Sequence, residues 1–180
     1  RTGAAAQARQ DSIGIQVSFS ADTCFVTLAA PEETVPVLYS GLLSVNIPHT
    51  LPVTAHAFTL ADVSDLSALL EVRAESVVLR RHTGDLDLAV LHDATLELAL
   101  RPGGRVVAVS DSGDVALHLP VSTDATVEVQ APNGSVTVSN LAFVSQQQQP
   151  GKLTGTLGTG DGTVRLVAQR GNVRLMGFMP

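Results

Sequence analysis

From Arg80 to Phe178 the chain repeats one short unit, a turn rich in Gly, Asp or Asn followed by alternating apolar and polar residues. The first apolar residues of successive units are evenly spaced, except for one longer step that contains Gln146–Gln149. These residues are Leu86, Leu96, Val106, Val115, Val127, Val136, Leu153, Val164 and Val173. So short a period leaves no room for a helix between strands. It predicts a stack of short strands, in which each unit buries its apolar edge against the next.

Units of this length fit two all-β architectures. In an antiparallel β-meander or sandwich, each strand pairs with the next through a hairpin. In a β-solenoid, two strands make one coil of about 20 residues and every second strand stacks in parallel. The alternate spacings favour the solenoid, because Leu86, Val106 and Val127 follow one another at the length of such a coil. We therefore expect these three residues to lie in one inner column, and the antiparallel meander remains the alternative.

The chain divides into three parts by pattern. Residues 1–11 read as a flexible N-terminal segment, and residues 12–79 as an irregular β-rich cap interrupted by prolines. Within this cap, leucines on one helical face predict a short helix over residues 64–72, although another strand fits this segment equally well. Residues 80–178 form the β-repeat region, and its glutamine run predicts an exposed, disordered loop inserted over residues 144–152.

Composition restricts the partners. The net charge is −6, from 11 basic and 17 acidic residues, with one Lys, one Tyr and no Trp. Nucleic acid is not an expected partner, because binding it needs clustered cations and stacking aromatics. Apolar runs are too short to span a membrane. A single cysteine excludes an internal disulfide and a cysteine-based zinc site, and no cofactor is predicted.

The first ten residues bear on localisation. Residues 1–10 (RTGAAAQARQ) contain Arg and Ala but no acid, a composition that fits the tail of an organellar presequence and equally a flexible linker. The compartment stays unknown from the sequence, with the cell surface or extracellular space and an organelle after presequence removal both open.

Four segments carry a family resemblance. Residues 82–88 (HTGDLDL), 111–117 (DSGDVAL), 158–166 (GTGDGTVRL) and 169–175 (QRGNVRL) share a Gly-Asp or Gly-Asn turn before an alternating strand. In these segments the chain resembles the adhesin-like family of bacterial β-repeat domains of unknown function with SGD-type repeats, over residues 80–178. The resemblance implies a right-handed, β-helix-like stack with a surface or binding role, and it carries over no catalytic residue.

The acidic turns raise two questions of chemistry. Gly158–Gly162 echoes the calcium-binding nonapeptide of β-rolls once, without the tandem copies that would build an oxygen cage, so turn formation is the expected role of these acids. Asp85 and Asp87 share a strand face, close to the separation that glycoside hydrolysis needs. The repeat region lacks the Tyr or Trp platform that a sugar substrate would require. His82 and His92 are one strand step apart, but exposed turn histidines are the default expectation.

Architecture without a catalytic cluster predicts a non-enzymatic module. We expect a structural or protein-interaction domain, adhesin-like or a scaffold subunit of a larger assembly, whose partners are other protein subunits or a repetitive surface. The expected interaction surface consists of outward polar residues, Asp87, Glu97, His118, Glu128, Arg165 and Arg174. Two alternatives remain: a polysaccharide-active β-helix enzyme that uses Asp85 and Asp87, and an accessory subunit of an organellar complex.

Overall fold

A computed structural model describes residues 14–20, 23–29, 50, 52–56 and 60–179, which fall into two compact units, 1–46 and 47–180. The described part of the first unit is an antiparallel hairpin of β1 (Gly14–Ser20) and β2 (Thr23–Ala29). The predicted flexible segment 1–11 lies outside the described residues. No helix in the described part of the chain has the length and hydropathy of a membrane span.

The second unit consists of short strands. They are β3 (Val53–His56), β4 (Leu60–Ser64), β5 (Leu70–Ala74), β6 (Ser76–His82), β7 (Leu86–Val90), β8 (Ala94–Leu98), β9 (Arg105–Ser110), β10 (Val115–Pro120), β11 (Ala125–Gln130), β12 (Val136–Ser139), β13 (Phe143–Gln149), β14 (Lys152–Leu157), β15 (Gly162–Ala168) and β16 (Val173–Phe178). The described strands form a six-stranded sheet, β12-β16-β10-β8-β6-β4, and an eight-stranded sheet, β13-β14-β11-β15-β9-β7-β5-β3.

The predicted all-β, parallel-stranded stack is confirmed. From β3 to β13 successive strands alternate between the two sheets, and within each sheet neighbouring strands are parallel except where β14 pairs with β11 and β13. The aliphatic residues of both sheets point into one shared core, while their polar neighbours point outward. This arrangement is that of a β-solenoid, and it excludes the antiparallel meander for residues 53–178.

The last coil does not stack in chain order. Leu86 pairs with Val106 as expected, but the neighbour of Val106 is Val164, and Val164 in turn pairs with Val127. All four side chains are buried, so the predicted column exists with Val164 inserted in it. On the other sheet β16 lies likewise between β10 and β12. The final coil, β15 and β16, therefore fills a slot between two earlier coils.

A short connection makes this insertion possible. The chain leaves β14 on one side of β11 and enters β15 on the other, so residues 158–161 cross the start of β11. The carboxylate of Asp124, which directly precedes β11, holds this crossing. It accepts hydrogen bonds from the Thr159 hydroxyl at 2.6 Å and from the backbone amides of Gly160 and Asp161. The Thr159 hydroxyl, followed by the two amides, lowers the pKa of Asp124.

Three expectations about element boundaries need correction. No helix forms over residues 64–72; β4 ends at Ser64, and β5 begins at Leu70 because this segment pairs with β3 and β7, which buries Leu70 and leaves Leu69 exposed. The parallel stack starts at β3, so its boundary lies before residue 80. Residues 144–152 do not form a loop but most of the β13–β14 hairpin, which extends the eight-stranded sheet.

The central position of the last coil can be tested by stability. Leu166 in β15 is fully buried, between Ala108 and Val129 in register. We expect Leu166→Ala to lower the free energy of unfolding by about 2–5 kcal/mol, since a cavity would open in the middle of the core. In the control Val144→Ala, whose side chain is 75% exposed at the sheet edge, the change should stay within about 0.5 kcal/mol. Equal denaturant midpoints for the two variants would contradict the inserted coil.

Candidate interaction surface

A ladder of turn residues joins the coils where the strands of the six-stranded sheet begin. The Asp93 carboxylate accepts the Asp114 amide at 2.9 Å, and Asp114 accepts the Asn172 amide at 2.9 Å. The Asn172 side chain then accepts the Ser135 amide at 3.0 Å. Each residue directly precedes a strand, β8, β10, β16 and β12 in order across the sheet. This turn ladder, Asp93-Asp114-Asn172-Ser135, satisfies backbone amides that β pairing does not reach.

Glycines next to this turn ladder allow the turns to stack closely. A Cβ on Gly171 would lie 2.0 Å from the carbonyl oxygen of Gly113, and one on Gly134 would lie 2.1 Å from that of Gly171. Any side chain there would push neighbouring coils apart. In Gly113-Asp114 and Gly171-Asn172, one residue therefore allows the close approach and the next makes the hydrogen bond.

The carboxylates proposed as a catalytic pair are both engaged. Asp85 accepts the backbone amide of Arg105 at 2.8 Å, and Asp87 lies 3.2 Å from the guanidinium of Arg73 on the neighbouring strand. In the described residues, no group of three or more His, Cys, Asp or Glu side chains is placed to hold a metal ion. The acids of this region thus connect coils.

One of the two candidate histidines lies inside the protein. Residues Arg80 and Arg81 form a bulge against β8, with Arg81 in the left-handed region at φ 51°, so His82 turns into the core. The Arg81 guanidinium donates two bonds of 2.6 Å to the Asp65 carboxylate, which stabilises this bulge. His92 is exposed and contacts the Ser112 hydroxyl at 2.9 Å. The expectation of exposed turn histidines is therefore wrong for His82.

Burial sets the protonation of His82. Its side chain is fully buried, its Nε2 lies 3.2 Å from the carbonyl oxygen of Asp85, and its Nδ1 has no hydrogen-bond partner among the described residues. Burial lowers the pKa of His82, and the nearby backbone carbonyls oppose this effect only in part. The neutral ring is therefore the form that the folded protein accommodates.

The six residues predicted as one interaction surface lie on two faces. Asp87, Arg165 and Glu128 occupy a single row on the outer side of the eight-stranded sheet, where Val107 separates Asp87 from Arg165. The other three lie on the outer side of the six-stranded sheet, with Glu97 beside His118 and with Arg174 3.2 Å from the Asp114 carboxylate. The core separates the two sets, so they form no common surface.

The first of these faces carries an apolar centre that the polar prediction missed. Val107 and Val109 of β9 point outward, and Val109 lies in register with Ala89 of β7 and Val167 of β15. Val167 is buried yet lies outside the core cluster. We call Ala89, Val107, Val109 and Val167 the valine face. Charged residues border it, namely Arg73, Asp87, Arg165, Glu128 and Lys152.

The sequence does contain a signal for the valine face. Most repeat strands place a polar residue between two apolar ones, but residues 106–109 read Val-Val-Ala-Val without interruption. In a strand with one face in the core, such a run must also place apolar side chains on the other face. The missing alternation therefore marks the strand whose outer face is apolar.

With the geometry described, comparison with known proteins gives one family. Residues 101–176 match the family model Toastrack DUF4097, a β-repeat domain of unknown function. The match covers β9 to β15 and most of β16, which includes the inserted coil, and it confirms the β-repeat resemblance over this range. No curated protein and no solved structure shows a significant match to the chain.

The contribution of the turn ladder can be measured at its central residue. We expect Asp114→Ala to lower the free energy of unfolding by about 1–3 kcal/mol, because the Asn172 amide loses its acceptor. Asp161→Ala is the matched control, since in the described residues the Asp161 carboxylate accepts no hydrogen bond, and it should change stability by less than about 0.5 kcal/mol. Similar losses in both variants, measured by urea unfolding, would show that the carboxylate ladder does not stabilise the stack.

The buried histidine predicts a pH dependence. Because the folded-state pKa of His82 is lowered, the unfolded chain binds more protons below its ordinary pKa of about 6.5. The free energy of unfolding therefore contains the full contribution of the neutral His82 ring above that pH. It decreases as the pH drops, by at most about 1.4 kcal/mol per pH unit. In His82→Leu the decline between pH 7 and 5 should be shallower. The difference from wild type at pH 7.5 measures packing alone, and an unchanged slope in the variant would contradict this prediction.

Proposed function

We propose that this protein is a non-catalytic interaction module that docks to another protein subunit through the valine face, as a scaffold or adhesin-like component of a larger assembly. The observation that carries the proposal is the apolar centre on the outside of the eight-stranded sheet, at positions where the other repeat strands are mostly polar. Val107 and Val109 are only half-buried in the single chain. A partner that covers them gains apolar contact.

The composition of this face supports a protein partner. Protein interfaces combine an apolar core with a polar rim, and here Val109 lies between Ala89 and Val167 while Val107 lies between Asp87 and Arg165. The Asp87 carboxylate is paired with Arg73, whereas Arg165 makes no hydrogen bond or ion pair within the described chain. Arg165 is therefore available as an anchor for an acidic or carbonyl group of the partner.

The architecture supports a passive role. The Asp85, Asp114 and Asp124 carboxylates accept backbone amides of neighbouring turns, which stiffens the stack rather than prepares an acid or a base. A rigid sheet loses little conformational freedom when it binds. The polysaccharide-active alternative would need Asp85 and Asp87 released from the contacts that hold them.

Site-directed photo-crosslinking tests the proposal. A photo-reactive side chain at position 109 should capture one partner subunit that mass spectrometry identifies, and the same group at position 116, on the outer face of the other sheet, should not. With the purified partner, Val109→Asp should weaken binding by at least about tenfold, because a charge would be buried at the centre of the interface. Ala116→Asp, the matched control, should bind as wild type does.

Three results would overturn this function. Capture from position 116 instead of 109 would place the interface on the other sheet. Equal loss of affinity in both Asp variants would point to a general effect on the fold. Cleavage of a glycan by the protein, abolished in Asp85→Asn and Asp87→Asn, would establish the enzyme alternative.

A further inference from the structure

The last strand of the eight-stranded sheet has a free edge. β13 pairs with β14 on one side and with no described strand on the other. Its residues from Val144 to Gln149 are exposed, and Phe143–Gln149 contains no charged side chain. Free sheet edges normally carry charges or prolines that prevent association. An uncharged edge of this length is therefore suited to strand addition.

The two ends of the stack differ. At the end formed by β3 and β4, the two sheets finish in the same coil. At the other end, the eight-stranded sheet continues with β14 and β13 beyond the level of β12, the last strand of the six-stranded sheet. If molecules stacked head to tail through β13 and β3, a gap about two strand spacings wide, about 10 Å, would remain between β12 and β4. Head-to-tail growth of both sheets is thus geometrically unfavourable.

We propose that β13 pairs with β13 of a second copy of this chain, antiparallel about a two-fold axis at Gln147. The irregularity of β13 lies between Phe143 and Ser145, so the regular part is Ser145–Gln149, and Gln147 is its centre. This pairing joins the two eight-stranded sheets into one continuous sheet. It is closed, because each β13 edge is used once and the symmetric dimer has no further free copy of it.

The side chains of β13 are complementary to themselves in this register. Ser145 lies opposite Gln149 and Gln146 opposite Gln148, so hydroxyl and amide groups meet and no like charges are opposed. Val144, 75% exposed in the single chain, directly precedes this regular stretch and so lies at the end of the proposed contact. An exposed apolar residue and an uncharged edge are both explained by one contact.

Two glutamine side chains of β13 make their hydrogen bonds within the chain and leave its backbone edge available. Gln146 donates to Gln148 at 3.2 Å, and Gln148 donates to the carbonyl oxygen of Val136 on β12 at 3.1 Å. These bonds engage side chains, so the β13 backbone edge and the outward Gln147 remain available for the second copy. The association is expected to be weak and reversible, because a single strand pair buries less than the roughly 1,000 Å² of a stable interface.

Sedimentation velocity on the full chain, from micromolar to submillimolar concentration, tests the dimer. We expect a reversible monomer–dimer equilibrium. Gln147→Lys and Gln147→Glu should each weaken dimerisation by about fivefold or more, because two like charges would meet at the axis. An equimolar mixture of the two variants should form a heterodimer at least as stable as the wild-type dimer. Thr154→Lys is the matched control, since Thr154 lies beside Gln147 on β14, away from the edge, and it should dimerise as wild type does.

The outcomes separate this dimer from other modes of association. A monomer at every concentration overturns the proposal, and so does growth into longer oligomers, since the proposed contact closes. Dimerisation that Thr154→Lys weakens as much as Gln147→Lys, or that the mixture does not restore, would show a contact elsewhere. The valine face does not take part in this contact. Val109→Asp should therefore leave the dimer intact, whatever its effect on a heterologous partner.

Discussion

The stack depends on the hydrogen bonds that turn carboxylates make to the backbone of the next coil. Parallel strands satisfy one another along their length, but at each turn the chain leaves the sheet and its amides lose those partners. Where the strands of the six-stranded sheet begin, the side chains of Asp114 and Asn172 accept these amides. Asp124 accepts them where the chain crosses β11. Strand pairing thus sets the spacing of the coils, and side chains at the turns satisfy the amides that this pairing leaves open.

Asp124 also stabilises the crossing on which the order of the stack depends. Its bonds to residues 159–161 hold the crossing that brings β15 between β9 and β11, so that Arg105 pairs with Thr163 from a distant part of the chain. The slot between β9 and β11 cannot close before residues 162–178 are available to fill it. Contacts between residues so far apart in sequence make folding slower than in a stack assembled coil by coil. Native pairing of the coils therefore depends on the last strands of the described chain.

The sequence predicted the local structure well, because strand alternation and turn chemistry depend on neighbouring residues. Leu86 and Val106 lie in one inner column, as their spacing of one coil length indicated. The insertion of Val164 beside Val106 could not be predicted, because spacing measures distance along the chain and the hairpin before β15 reverses its direction. The inward turn of His82 depends on one left-handed residue, Arg81, in a segment whose composition indicates nothing unusual.

For the candidate surface, the sequence-based prediction considered only outward polar residues. Some of the outward polar residues are already paired within the molecule, as Asp87 is with Arg73 and Arg174 with Asp114. Residues that already satisfy one another have less to gain from a partner than half-buried valines have. The valine face and the free β13 edge belong to the same sheet, so a dimer through β13 would carry the valine face twice in one rigid body. Two linked valine faces would bind a repetitive partner with far higher avidity than either face alone. Weak individual contacts would then suffice for stable binding.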